Sequence, residues 1–235
     1  MALETDAFDA AVHAAIGRYG GQRVGVFLGT STAGILQTEL AYRRRDPLAG
    51  ALPGDFIYRT THNAFSVADF VHRYFCLSGP AVVVSTACSS SAKVFASAQR
   101  MIACGLLDAA IVGGVDSLCL TTLYGFNSLE LTSDEPCRPY DAARKGISIG
   151  EGAAYVLLER LPDNLDSDAV LLLGTGESSD AYHMSSPHPE GRGARQAMVA
   201  ALAAAGLQPS GVDYINLHGT ATHNNDAAEG RAVAA

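Results

Sequence analysis

The chain has 235 residues, 48% of them hydrophobic, which is enough apolar sequence for a large folded domain and excludes wholesale disorder. Its 16 basic and 24 acidic side chains leave a formal charge of −8, which argues against nucleic acid as a general partner. No apolar run approaches the length of a membrane span, and the first residues lack the parts of a signal peptide, so we expect a soluble cytoplasmic protein.

Helical and strand patterns alternate along the first part of the chain. Apolar residues at helical spacing predict a helix over 8–19, and the β-branched stretch 24–28 predicts a short strand. Further helices are expected over 35–45 and 65–75, the first of which ends in three arginines, Arg43 to Arg45. Such a cluster is typical of a solvated helix face; its functional alternative is a docking patch for an acidic partner.

The most informative stretch is a strand, a sharp turn and a helix. In the stretch 80–91, a run of β-branched residues predicts a buried strand. A turn of small residues then brings Cys88 to the start of a slim, apolar helix that we expect to lie buried between layers. The N–H groups at a helix N-terminus favour a thiolate, whereas Cys104 lies at the opposite end, where the helix dipole disfavours one. Cys88 is therefore the candidate nucleophile, with a structural buried cysteine as the alternative.

The alternation continues in the second part of the chain and predicts an α/β fold with layered sheets. No repeat or linker marks a domain boundary. The expected strands are 109–116, 153–159, 169–175 and 214–220, with a helix or irregular segment over 121–131 and an amphipathic helix over 194–205.

A base that activates Cys88 should be a histidine near the end of another strand. Of the seven histidines, His218 ends a predicted buried strand, where α/β proteins place their sites, and His183 lies in a loop that follows a strand. The five cysteines form no C-x-x-C pair and are odd in number, which argues against a disulfide framework or a structural zinc site.

Seven motifs, in order along nearly the whole chain, together resemble the β-ketoacyl-acyl-carrier-protein synthases, the elongating condensing enzymes of fatty-acid and polyketide synthesis. Each motif alone would be weak, but the set is specific. They are residues 84–91 (VSTACSSS), 113–116 (GGVD), 137–141 (CRPYD), 146–153 (GISIGEGA), 180–184 (DAYHM), 217–222 (LHGTAT) and 225–229 (NDAAE).

The resemblance implies an incomplete thiolase-like α-β-α-β-α fold, with 1–160 as most of the N-terminal half and 161–235 as the start of the C-terminal half. Cys88 would accept the acyl chain as a thioester, and His218 would assist decarboxylation of the malonyl unit. The remaining implied roles are phosphopantetheine binding (Thr220, Thr222, His183 and Ser185), support of the site (Asp226 and Glu229) and part of the acyl pocket (Phe126).

The resemblance also implies partners. They are an acyl carrier protein, whose phosphopantetheine carries the substrates, and a second copy of the chain in a homodimer; no metal or other cofactor is expected. An acidic carrier protein would need a local basic cluster on this acidic chain. The candidates are Arg43 to Arg45, Arg138, Arg144 and Lys145.

The chain departs from the family pattern at both ends. The family's second histidine and its lysine do not follow Glu229, and its first strand and helix do not precede Thr5, so we expect a fragment of a longer synthase with impaired activity.

Three alternative functions stay open. They are a catalytically silent partner subunit, a cysteine hydrolase using Cys88 and His218, and a metal site at His218, His223, Asp226 and Glu229. The acyl substrate stays open between fatty-acid elongation and a polyketide or aryl-polyene pathway.

Overall fold

The computed structural model describes residues 6–235, so the expectation about the region before Thr5 lies outside it. The described residues form two compact units, one with residues up to 122 and 150–167, the other with 123–149 and 168–235. The helices are α1 (Asp6–Tyr19), α2 (Ile35–Arg43), α3 (Tyr58–Thr61), α4 (Ser66–Tyr74), α5 (Ser90–Ala103), α6 (Leu120–Ser128), α7 (Arg192–Ala205) and α8 (His223–Ala234). The strands are β1 (Val24–Gly29), β2 (Ala81–Val84), β3 (Ala109–Asp116) and β4 (Gly152–Glu159).

The first unit is built on a mixed four-stranded sheet in the order β2-β1-β3-β4. β1 runs parallel to both neighbours, with Val26 opposite Ala81 and Ile111, and β4 runs antiparallel to β3. Parallel neighbours need crossover connections, which the helices between β1, β2 and β3 supply. The expected α/β class is confirmed, and all four strands of this unit were predicted to within one residue at each end.

Helices cover both faces of this sheet because successive strand residues point to opposite sides. Val26 and Leu28 pack with α1 and α4 on one face, and Phe27 packs with α5 on the other. The α5 residues Val94 and Ala98 are fully buried there.

The prediction that α5 lies buried between layers holds in part for the described residues, because Ala96 is buried as well as Val94 and Ala98. Ala92 and Ala103 are exposed on the side of the helix that faces away from the sheet. The strand β2 is likewise only partly buried, because it is the edge of the sheet in the described chain, and Val82 is 37% exposed. Small apolar side chains therefore predicted burial correctly at Ala96 and Ala98 but not at Ala92 and Ala103.

In the second unit, the strands predicted over 169–175 and 214–220 are wrong. Neither segment pairs with a strand in the part of the chain that the structure describes, and Val170 and Tyr214 are 99% and 80% exposed. An apolar β-branched run becomes a strand only when a partner completes its hydrogen bonds, which a local pattern does not specify. The glycine at 176 instead lies against the backbone of α7, since a Cβ there would lie 2.5 Å from Ala201 N.

Within residues 6–235, no helix combines the length and the apolar character that a membrane crossing requires.

Candidate active site

Cys88 lies in the turn between β2 and α5. The helix begins at Ser90 with Ser89 at its N-cap, so the cysteine precedes the first helical residue by two positions and is exposed. The turn is sharp, because Ala87 adopts a left-handed φ of 54°, which L-residues rarely do. The sequence placed the thiol correctly at the start of this helix.

Side-chain hydrogen bonds hold the Cys88 turn. Thr86 N donates to Ser90 Oγ at 2.8 Å, and Ser90 Oγ donates to the Ala87 carbonyl at 2.6 Å. Ser89 Oγ donates to the Thr86 carbonyl at 2.9 Å. These bonds compensate for the strained backbone at Ala87 and keep the turn in one conformation.

Two glycines let the start of α5 lie directly on the sheet. A Cβ at Gly29 would lie 2.5 Å from Ser91 N, and a Cβ at Gly114 would lie 2.6 Å from Ser91 Cβ. Because both glycines lie toward the carboxyl ends of parallel strands, the N-terminus of α5 lies at the sheet edge where α/β proteins bind ligands.

Asp116, at the end of β3, orders the loop that follows β1. Its Oδ1 accepts hydrogen bonds from Thr30 Oγ1, Ser31 N, Thr32 N and Thr32 Oγ1 at 2.7–3.1 Å. Thr30 N in turn donates to the Val84 carbonyl at 3.1 Å, which ties this loop to the end of β2. Asp116 is the last residue of the 113–116 motif, but the sequence alone predicts no structural role for it.

His218 lies in a turn before α8 and is exposed, so the prediction that it ends a buried strand is wrong. The turn has left-handed backbone at Gly219 (φ 52°) and at Ala221 (φ 59°). Such a turn needs hydrogen bonds to hold it, since alanine rarely adopts this conformation.

Two carboxylates on α8 supply those bonds. Glu229 Oε1 accepts from His218 N at 2.6 Å, and its Oε2 accepts from Gly219 N at 3.0 Å. Asp226, only 2% exposed, accepts from Ala221 N at 3.1 Å. Both acids therefore bind the backbone of the turn that carries His218.

These contacts also bear on the alternative metal site. Within residues 6–235, no three His, Cys, Asp or Glu side chains are grouped as metal ligands. The oxygens of Asp226 and Glu229 accept backbone N–H bonds instead.

Thr220 and Thr222 lie in the same turn, with their hydroxyl oxygens 2.8 Å apart. Cys137 Sγ donates to the Thr220 carbonyl at 3.6 Å. The second unit thus brings together the His218 turn, both threonines and the supporting acids.

His183 and Ser185 lie in an exposed loop, where Ser185 N donates to His183 Nδ1 at 3.2 Å. Asp180 holds the base of the loop by accepting from Gly193 N at 2.6 Å and from His188 N at 2.9 Å. Asp180 belongs to the 180–184 motif, but the sequence alone does not predict that its carboxylate holds the loop.

Two cavities in the second unit share Pro187. One, of about 390 Å³, is lined by His183 and, from α8, by Asn224 and Arg231. The other, of about 150 Å³, is lined by His218 with Asp180 and Glu229. The loop of His183 and the turn of His218 therefore line adjoining concave surfaces.

Phe126 lies half-buried on α6. The start of this helix is held by Glu39, which accepts from Leu120 N, Thr121 N and Thr121 Oγ1 at 2.5–3.0 Å. Burial raises the pKa of Glu39, but the hydrogen bonds from Thr121 and Leu120 outweigh it and lower the pKa below its usual value. Glu39 is therefore the ionised cap of the helix that carries Phe126.

The predicted basic cluster is wrong in part. The Arg144 side chain is 16% exposed, and its Nε lies 3.4 Å from the buried Asp226 carboxylate. Lys145 and Arg138 pair with Glu135 at 2.5 and 2.7 Å. The arginines at 43 and 45 are exposed and form no ion pair within residues 6–235.

Both parts of the chain match family models. Residues 3–164 match the model described as "Beta-ketoacyl synthase, N-terminal domain", and residues 169–235 match "Beta-ketoacyl synthase, C-terminal domain".

Two curated relatives illustrate the likeness. Nodulation protein E from Rhizobium meliloti is 39% identical over 161 residues, which cover 67% of this chain and 40% of that protein. A 3-oxoacyl-[acyl-carrier-protein] synthase 2 from Coxiella burnetii is 34% identical over 229 residues, covering 90% of this chain and 53% of that protein. The chain thus spans about half the length, or less, of the curated relatives it matches.

Solved structures show the same likeness. A ketosynthase in complex with its chain length factor, from Xenorhabdus doucetiae, is 43% identical with a TM-score of 0.85, covering 96% of this chain and 55% of that one. A type II PKS ketosynthase, solved with its acyl-carrier protein, is 26% identical with a TM-score of 0.79, covering 90% of this chain and 56% of that one. The expected thiolase-like fold is confirmed.

Proposed function

Because the chain belongs to the β-ketoacyl synthase family, we propose that the protein catalyses a decarboxylative Claisen condensation on Cys88. The observation that carries the proposal is the exposed thiol of Cys88 at the N-terminus of α5, within the residues that match the family's N-terminal domain. A helix N-terminus favours both the thiolate and the oxyanion of a tetrahedral intermediate.

The reaction has two halves. In the first, the Cys88 thiol loses its proton and the thiolate attacks an acyl thioester. A new thioester forms on the cysteine, and the carrier thiolate leaves and takes up the proton that Cys88 released. In the second, a malonyl thioester loses carbon dioxide, and the electron pair of the broken carbon–carbon bond forms an enolate. The enolate attacks the acyl group on Cys88, the thiolate leaves, and the chain is longer by two carbons.

His218 acts in the second half-reaction. Its imidazole donates a hydrogen bond to the thioester oxygen of the malonyl group as negative charge develops there. The turn of His218, held by Asp226 and Glu229, is preorganised for this task. Thr220, Thr222, His183 and Ser185 bind the phosphopantetheine arm, a role that the concave surface lined by His183 supports.

The carrier of both substrates is an acyl carrier protein, and the chain acts as a homodimer. Support for the carrier comes from the solved relative that contains an acyl-carrier protein. Support for the dimer comes from β2, which is an edge strand in the described chain and presents Val82 to solvent.

We place the carrier-protein contact at Arg43 and Arg45, which lie close together in the chain, are exposed and form no ion pair in the described residues. Changing both to glutamate should raise KM for carrier-bound acyl groups on the order of 10-fold, because the steering field for an acidic partner reverses. KM for the same acyl group on free pantetheine should not change. The control is Arg192→Glu combined with Arg195→Glu, which makes the same charge change at two exposed arginines of α7. Equal effects on both substrates would contradict this docking surface.

Product analysis tests the proposed reaction. Protein expressed from the complete reading frame is supplied with acyl- and malonyl-carrier protein, and β-ketoacyl product and carbon dioxide are measured. Cys88→Ala should abolish product, and His218→Ala should lower carbon dioxide release while Cys88 is still acylated. Undiminished product from Cys88→Ala would refute the proposal. A series of fatty-acyl and polyenoyl primers in the same assay identifies the pathway.

A further inference from the structure

Tyr140 contacts both carboxylates that hold the His218 turn. Its hydroxyl donates to Glu229 Oε2 at 2.9 Å, and its backbone N–H donates to Asp226 Oδ2 at 2.8 Å. The residue lies in the Cys137–Asp141 motif, to which the sequence assigned no role. The Tyr140 hydroxyl thus donates to Glu229, the same carboxylate that accepts a hydrogen bond from the backbone N–H of His218.

The two oxygens of Glu229 have different partners. Oε1 accepts from His218 N, whereas Oε2 accepts from Gly219 N and from the Tyr140 hydroxyl. The terminal torsion of a glutamate is intrinsically loose, so a carboxylate is fixed only by the groups that bond it. The Tyr140 hydroxyl is therefore one of three donors that restrict the rotation of the Glu229 carboxylate, and the one that lies outside the His218 turn.

Backbone strain makes this bond consequential. Gly219 and Ala221 are both left-handed, and Tyr140 itself has a φ of 63°. Strained turns persist only where the surrounding structure holds them. Arg144 adds to that structure, since its Nε lies 3.4 Å from Asp226 and its Nη2 donates to the His223 carbonyl at 3.3 Å.

The hydroxyl stays a donor over the whole physiological pH range. Partial burial first, and then the hydrogen bond to Glu229, raise the pKa of Tyr140 well above its usual value. The Tyr140 hydroxyl is therefore available as the donor of this bond throughout that range.

We propose that Tyr140 is a positioning residue that sets the orientation of His218 through Glu229. It acts on the backbone of the turn, with Glu229 as the intermediate. The catalytic consequence rests on the proposed function, whereas the structural consequence does not.

The experiment is a double-mutant cycle with Tyr140→Phe and Glu229→Gln. Phenylalanine keeps the ring and removes only the hydroxyl. Hydrogen exchange of the His218 and Gly219 amides should quicken on the order of 10-fold in Tyr140→Phe, because their acceptor is released. In the Glu229→Gln background the same substitution should have no further effect, since the two residues act in series.

Kinetics on protein from the complete reading frame give the second measurement. Decarboxylation of a malonyl thioester should fall on the order of 10-fold in Tyr140→Phe, whereas acylation of Cys88 should keep its rate. The control is Tyr58→Phe, which removes the hydroxyl of an exposed tyrosine whose ring stacks at a tilt on His62.

The outcomes separate the two proposals. Unchanged amide exchange in Tyr140→Phe, or an additive double mutant, overturns the positioning role. Quickened exchange with unchanged decarboxylation overturns its catalytic consequence. Absence of decarboxylation in the wild-type protein overturns the proposed function, and the exchange cycle still decides the role of Tyr140.

Discussion

Replacing Gly29 with alanine is expected to lower the free energy of unfolding by roughly 3 kcal/mol, because the added Cβ has no room. It would lie 2.5 Å from Ser91 N and would overlap the carbonyl of Ser90. These are backbone atoms in the first turn of α5, so no side-chain rotation relieves the overlap. The helix must shift away from β1, which opens the packing of Phe27 against Val94.

Denaturant unfolding of the chain measures this effect, and Gly17→Ala is the matched control. Gly17 lies inside α1 with nothing within 4 Å of an added Cβ. Alanine there should stabilise the chain by about 0.5–1 kcal/mol, as helix propensity predicts. If Gly29→Ala unfolds at the wild-type denaturant concentration, the close approach of α5 to the sheet is wrong.

Replacing Asp226 with alanine is also expected to have a large effect, and should lower the free energy of unfolding by roughly 3–5 kcal/mol. The carboxylate accepts from Tyr140 N and Ala221 N and pairs with Arg144, whose side chain is only 16% exposed. Alanine would leave a guanidinium charge largely buried beside two unbonded N–H groups. Removing one partner of a buried ion pair is costly for that reason.

The matched control is Asp55→Ala, which breaks an exposed pair. Asp55 lies 3.1 Å from Arg44, and the two side chains are 66% and 58% exposed. Its loss should change the free energy of unfolding by less than about 1 kcal/mol. The Asp226 prediction fails if both variants unfold alike, or if hydrogen exchange in residues 217–222 stays at the wild-type rate in Asp226→Ala.

The sheet of the first unit follows from local sequence. Its strands are β-branched apolar runs bounded by Gly, Pro and polar turns, and each finds its partner within the same unit. The segments 169–175 and 214–220 have the same local character but no paired strand in the described chain. The apolar pattern is therefore the same in the four strands and in these two segments, and the presence of a neighbouring strand to pair with decides whether a strand forms.

The Cys88 turn could be placed from sequence because strand, turn and helix are consecutive. The hydrogen bond between Tyr140 and Asp226, which helps to hold the His218 turn, could not be predicted from sequence, since the two residues are 86 positions apart. Arg144 shows the same limit: a basic residue in a polar loop suggests a solvated surface, yet its partner lies buried on a distant helix. Periodicity describes faces of elements, whereas long-range polar partners depend on tertiary packing.

Peptide mapping of the acyl adduct decides whether Cys88 is the acyl acceptor. After incubation with an acyl-carrier protein, the mass of the acyl group should appear on the peptide that contains Cys88. It should be absent from the peptides that contain Cys76, Cys104, Cys119 and Cys137, lost in Cys88→Ala and retained in His218→Ala. An adduct on another cysteine, or one that persists in Cys88→Ala, would contradict the assignment of Cys88.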